Sequence, residues 1–218
     1  MVKVKVVEQV TKANDQIASQ NQALLDGSGT FAVNLMASPG AGKTSLLMRT
    51  VEVLRDRLRI GAIEGDTASR VDADRVATTG IPVVQINTGG GCRLDANMLR
   101  PALQELPLEE LDLLLIENVG NLVCPAGLAL GQHADVVIAS VPEGDDKPYK
   151  YPGIFLAVDA IVINKIDLLP YLDFDVRAFR ELVGGMNPKA QIFEVSCKTG
   201  EGLEEWAGWL ASQCGRES

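Results

Sequence analysis

Along this chain, short runs of Val, Ile and Leu recur in which apolar residues follow one another instead of alternating with polar ones. They occupy residues 31–36, 60–64, 82–86, 111–117, 136–140, 160–164 and 191–195. Strands that read this way are buried on both faces, as in a parallel sheet covered by helices on each side. Between them, residues 44–56, 69–79, 95–105, 175–183 and 201–212 carry apolar side chains at helical spacing. A leading helix is expected over residues 7–25, where Val7, Val10, Ala13, Ile17 and Leu24 share a stripe that Asp26-Gly27-Ser28-Gly29 then stops. The pattern predicts an α/β fold with a doubly wound, mostly parallel sheet of about seven strands and a ligand site at the strands' carboxyl ends.

Directly after the first run stands Ala37-Ser38-Pro39-Gly40-Ala41-Gly42-Lys43-Thr44, followed by Ser45. This is the P-loop pattern GxxxxGK[ST] with Ala37 in place of its first glycine. Gly40, Ala41 and Gly42 allow main-chain amides to wrap a phosphate, Lys43 reaches the terminal phosphates, and Thr44 offers a hydroxyl to Mg²⁺ at a helix N-terminus. Further along, Asn164-Lys165-Ile166-Asp167 closes one run, and Ser196-Cys197-Lys198-Thr199-Gly200 follows the next. These strings resemble the NKxD and SxK guanine-recognition elements of GTPases. A carboxylate at Asp167 accepts from the guanine N1–H and exocyclic amine, donors that adenine lacks on that edge. The stem of Lys165 can cover the ring, and an amide near Cys197 or Lys198 can donate to O6. GTP or GDP is the expected nucleotide. Residues 1–29 then form a leading helix and residues 30–218 a P-loop GTPase domain, as one structural unit.

Charge narrows the partners. Lys and Arg total 20 against 29 acidic residues, a net charge of −9, which argues against duplex nucleic acid and anionic membranes as partners. Apolar residues make up 46% of the chain and charged ones 22%, a composition that builds a core and excludes wholesale disorder. No apolar run approaches the roughly 18 residues of a membrane span, and MVKVKVVEQV lacks the apolar core of a secretory signal, so a cytoplasmic location is expected. In such a compartment Cys92, Cys124, Cys197 and Cys214 read as thiols or metal ligands.

Several further strings are similar to those of the HypB/UreG family of SIMIBI-class P-loop G proteins, which includes the nickel-incorporation GTPases of hydrogenase maturation. They are Glu64-Gly65-Asp66, Gln85-Ile86-Asn87-Thr88-Gly89, Cys92-Arg93-Leu94-Asp95-Ala96, Glu117-Asn118-Val119-Gly120-Asn121-Leu122-Val123-Cys124-Pro125 and Glu143-Gly144-Asp145-Asp146-Lys147-Pro148. The resemblance covers residues 34–209. It implies GTP hydrolysis coupled to nickel delivery into a [NiFe]-hydrogenase large-subunit precursor, a nucleotide-dependent homodimer, and a HypA-like nickel chaperone as partner. Related members serve urease or cobalamin enzymes.

Within that frame Thr44, Asp66 and Glu117 are expected around Mg²⁺, each acid closing a strand beside the phosphate loop, with Asp66 also placed to orient the attacking water. Asp72 is a further candidate, and Arg70, Arg75, Lys147 and Lys150 are alternatives for a cation acting across a dimer. Cys92 and Cys124 belong at the nucleotide edge, where two thiolates per protomer meeting across a two-fold axis would hold Zn²⁺ or Ni²⁺. The family pattern there is Cys-His-Leu-Asp-Ala, and Arg93 stands in the histidine position, which lowers the ligand count. A metal-independent regulatory switch is therefore the competing reading. His133 is expected to be structural, and so are Trp206 and Trp209; Cys197 and Cys214 carry no assigned thiol chemistry.

Overall fold

A computed structural model describes residues 9–67 and 69–215; Val7 of the expected leading stripe lies outside them. The sheet has seven strands in the order β3-β2-β4-β1-β5-β6-β7. These are β1 (Phe31–Ala37), β2 (Ile60–Asp66), β3 (Val83–Asn87), β4 (Leu113–Glu117), β5 (Ala134–Ser140), β6 (Ala160–Asn164) and β7 (Gln191–Val195). Every pairing is parallel, so "mostly parallel" becomes wholly parallel. The continuous apolar runs have their cause here. On β1, Val33, Leu35 and Ala37 enter one buried cluster, while Ala32 and Met36 enter clusters on the opposite face.

The principal helices are α1 (Gln9–Ser28), α2 (Lys43–Leu54), α3 (Val71–Ala77), α4 (Ala96–Gln104), the short α5 (Lys147–Lys150) and α6 (Pro152–Phe155), α7 (Val176–Met186) and α8 (Leu203–Gln213). α1 runs through Asp26-Gly27-Ser28, past the expected stop, and ends only where Gly29 turns to φ 71°. It lies on α4, with Asn21 donating to the carbonyls of Ala96 and Leu130 at 2.9 Å. α2 and α8 cover the other face, where the buried Trp206 donates to Thr50 Oγ1 at 2.8 Å and stacks on Trp209. His133 is structural as expected: Nδ1 accepts from the Ala32 amide at 2.9 Å and the ring stacks on Phe31.

β1 is flanked by β4 and β5, and the chain reverses its direction of progress across the sheet at this point. A crevice opens at such a switch point beyond the strands' carboxyl ends, and the loop from β1 into α2 enters it.

Candidate functional site

The loop between β1 and α2 borders a cavity of about 560 Å³ whose walls include Gly40, Gly42, Lys43, Thr44, Asp66 and Glu117. Gly42 caps α2 at φ 100°, and a Cβ there would strike the Asn164 amide. The glycine is thus required by both its backbone and its neighbour. Free amides at the start of α2, together with the helix dipole, favour an anion. Lys43 and Thr44 are buried at the cavity floor.

Adjoining it is a second cavity of about 410 Å³, bounded by Asn164, Lys165, Asp167, Cys197 and Lys198; Gly42, Ser45 and Lys165 line both. Asp167 Oδ1 accepts from Ser196 Oγ at 2.7 Å. Asn164 Oδ1 accepts from the amides of Lys165 at 2.7 Å and Cys197 at 3.4 Å. The Lys165 ammonium donates to the Gly40 carbonyl at 2.6 Å, so its stem spans the junction. Burial pushes the Cys197 thiol up to about 11, which keeps it protonated. The expected phosphate and base residues therefore meet in one continuous cleft.

On the opposite wall, Thr44 Oγ1 donates to Glu117 Oε1 at 3.0 Å. Glu117 Oε2 is buried with no hydrogen-bond partner, and so is Oε1 of Glu64. Glu64 lies directly across from Glu117 in the β2–β4 register. Burial first, then the charge of Glu117, pushes Glu64 up to about 10; burial also raises Glu117, against the pull of Lys43. Two buried carboxyls with vacant lone pairs beside a threonine hydroxyl form an oxygen donor set that fits a hard divalent cation. Glu64 was missing from the expected site. Asp66 lines the cavity while accepting from the Ser69 amide at 3.3 Å. Asp72 and Arg75 line it as well, joined at 3.1 Å. Arg70 pairs with Asp74, Lys147 with Glu143 and Lys150 with Asp146.

Cys92 and Cys124 come together, from the loops after β3 and β4, with Cα atoms 6.2 Å apart. Within the chain they form a disulfide, where reduced thiols were expected. Arg93 Nη1 donates to the Cys124 carbonyl at 2.7 Å and Asn121 Nδ2 to its sulfur at 3.4 Å. The guanidinium thus clasps the Cys124 loop by its main chain. No group of three or more His, Cys, Asp or Glu poised for a metal occurs among the described residues.

An all-parallel sheet, a phosphate loop at its switch point and an adjoining base cavity define a P-loop nucleotide-binding domain of the GTPase kind. The model of the CobW/HypB/UreG nucleotide-binding domain matches residues 31–194. The hydrogenase maturation factor HypB of Azotobacter vinelandii is 48% identical over 212 residues, covering 97% of this chain and 70% of that protein. The crystal structure of HypB from Archaeoglobus fulgidus superposes with a TM-score of 0.87 at 43% identity, covering 93% of this chain and 99% of that one. HypB from Helicobacter pylori, crystallised in complex with nickel, gives 0.89 at 37% identity, covering 94% and 98%. The chain belongs to the CobW/HypB/UreG family, on its branch of HypB hydrogenase maturation factors. Among the described residues no helix is long and apolar enough to cross a membrane.

Proposed function

We propose that this protein binds and hydrolyses GTP with Mg²⁺ and couples its nucleotide state to nickel insertion during [NiFe]-hydrogenase maturation. The observation that carries this reading is the continuity of the phosphate cavity with the Asn164–Asp167 loop through Gly42, Ser45 and Lys165. In this assignment the amides at Gly40, Ala41 and Gly42 and the Lys43 ammonium hold the phosphates. Asp167, set by Ser196, reads the guanine edge, and Asn164, Cys197 and Lys198 complete the base pocket. Thr44, Glu117 and Asp66 hold Mg²⁺, with Glu64 behind Glu117. When bound, the cation neutralises charge on the terminal phosphates. Asp66, at the open end of β2, orients water for in-line attack.

Cys92 and Cys124, once reduced, are the thiolates offered to Ni²⁺ or Zn²⁺, soft donors suited to either ion. The client is the hydrogenase large-subunit precursor, the metal partner a HypA-like chaperone, the active form a nucleotide-dependent homodimer, and the location cytoplasmic. A regulatory switch without metal is the second reading, favoured by Arg93 and by the closed pair. Release of phosphate from GTP, in excess over ATP and abolished in Lys43→Ala, tests the enzyme. Titration of Ni²⁺ and Zn²⁺ into reduced wild type and a Cys92→Ala, Cys124→Ala double variant tests the cargo; equal affinities would leave the regulatory switch.

A further inference from the structure

Between the cavity and the cysteine pair lies Asn118, a polar side chain only 1% exposed. Its Oδ1 accepts from the amide of Leu94, two residues beyond Cys92, and from its own neighbour Val119, both at 3.0 Å. Its Nδ2 donates to Asn34 Oδ1 at 3.1 Å. Asn34 donates in turn to Asp135 at 2.8 Å, and Gln132 donates to the other oxygen of Asp135 at 2.7 Å. With two main-chain donors on the oxygen and an acceptor on the nitrogen, the amide has one satisfied orientation. A rigid chain through the central strand therefore holds the side chain that catches the cysteine loop.

The same segment reaches the cavity. Asn118, Val119 and Gly120 line it. Gly120 packs so closely on Pro39 of the phosphate loop that a Cβ would lie 3.2 Å from the proline. Leu94 carries a second link, for its fully buried side chain covers Gly65, where a Cβ would come within 2.8 Å of Leu94 Cγ. Leu94 thus touches both strand ends that border the phosphate cavity, while Cys92 and Cys124 ride on the loops it joins.

We infer that Asn118 is the positioning residue that transmits the phosphate state of the cavity to the Cys92–Cys124 pair, through its hydrogen bond to the Leu94 amide. This rests on the reading of the cleft as a nucleotide site, and it needs no metal. The loop from Asn118 to Cys124 is the element whose position a terminal phosphate changes. The Leu94 contact carries that change to the Cys92 loop, so both thiols respond together. Coupling of this kind is reciprocal for binding, with typical factors of about 5 to 150.

The test is alkylation of fully reduced protein by iodoacetamide, followed for each cysteine by peptide mass spectrometry, with Cys214 as internal reference. Samples hold Mg²⁺ and either GDP or a non-hydrolysable GTP analogue, and occupancy is measured on each by fluorescent-nucleotide displacement. Wild type is expected to show rates at Cys92 and Cys124 that differ between nucleotides by about fivefold or more. In Asn118→Ala the ratio falls to near unity. Gln132→Ala loosens the far end of the same chain and lowers stability, yet keeps the wild-type ratio, which a merely structural role for Asn118 would not distinguish. Should Asn118→Ala fail to show a cooperative thermal transition, Asn118→Ser, whose hydroxyl is too short to reach Leu94, gives the same reading. Nucleotide-loaded wild type with equal rates overturns the coupling and leaves the GTPase reading standing, as does an Asn118 variant that retains the wild-type ratio. Protein that binds neither nucleotide overturns both.

Discussion

Replacing Glu64 by Gln should remove most of the alkaline destabilisation of the metal-free protein. Glu64 and Glu117 are 3% and 5% exposed and face each other in register. Glu64 is pushed up to about 10 by burial and by Glu117. A carboxyl raised in the folded state keeps a proton that the unfolded chain releases above pH ~4.5, so stability falls as pH rises from there toward about 10. One retained proton corresponds to a slope of about 1.4 kcal/mol per pH unit, or at most about 2.7 kcal/mol between pH 6 and 8. Glutamine keeps the shape and has no proton to lose. Urea denaturation in EDTA at pH 6, 7 and 8 measures this, with the m-value checked for constancy. The wild-type free energy should fall by about 2 kcal/mol more than that of Glu64→Gln over this interval. Parallel pH profiles would refute the buried dyad.

Asp167→Asn should weaken GTP by about 1 to 3 kcal/mol, the scale of a hydrogen bond to a charged group, with the loss read as reduced GTP-over-ATP discrimination in equilibrium binding. Arg93→His should tighten Ni²⁺ binding to the reduced protein by supplying an imidazole beside Cys92, measured by calorimetry; an unchanged or weaker affinity would show that the guanidinium clasp on Cys124 matters more than the added ligand. Gly202→Ala should destabilise by about 3 kcal/mol in thermal or urea unfolding, because the residue sits at φ 73° with its missing Cβ against the Glu194 carbonyl. Trp206→Phe should cost about 1 kcal/mol for the lost bond to Thr50 plus a packing loss of similar size, checked by the same unfolding curves.

The strands and longer helices were legible because their burial is uniform. Runs such as Ile161 to Ile163 are apolar on both sides of the sheet and leave no ambiguity of face. The misses have physical causes. α5 and α6 are four residues each, too short for any helical period to register. β2 closes at Asp66, as expected for that acid, although its apolar run reads only to Glu64; the last two residues are held by pairing with Ile86 and Asn87. Glu64 reads from sequence as the polar end of an apolar run. Only the β2–β4 register sets it against Glu117, 53 positions further along the chain. The intrachain meeting of Cys92 and Cys124 was hidden for the same reason, since it depends on β3 and β4 being separated by β2 alone in the sheet order.

Sequence distance also conceals how the two cavities are tied together. Asn164 donates to the Ala41 carbonyl at 2.9 Å across 123 positions, and Lys165 donates to Gly40. These bonds tie the base loop to the phosphate loop on the side away from Glu117. Lys165 holds its place at φ 64°, a left-handed conformation that is costly for a lysine. The strain persists because its ammonium and its amide are both engaged, the latter by Asn164 Oδ1. The cleft is asymmetric: these bonds tie one side, while the other carries the Glu117 carboxyl, which accepts from Thr44 and has Glu64 beside it in the sheet register. In the proposed assignment the base side is already tied, and the phosphate end, where Asn118 and Gly120 stand against the loop, is where nucleotide binding would do its conformational work.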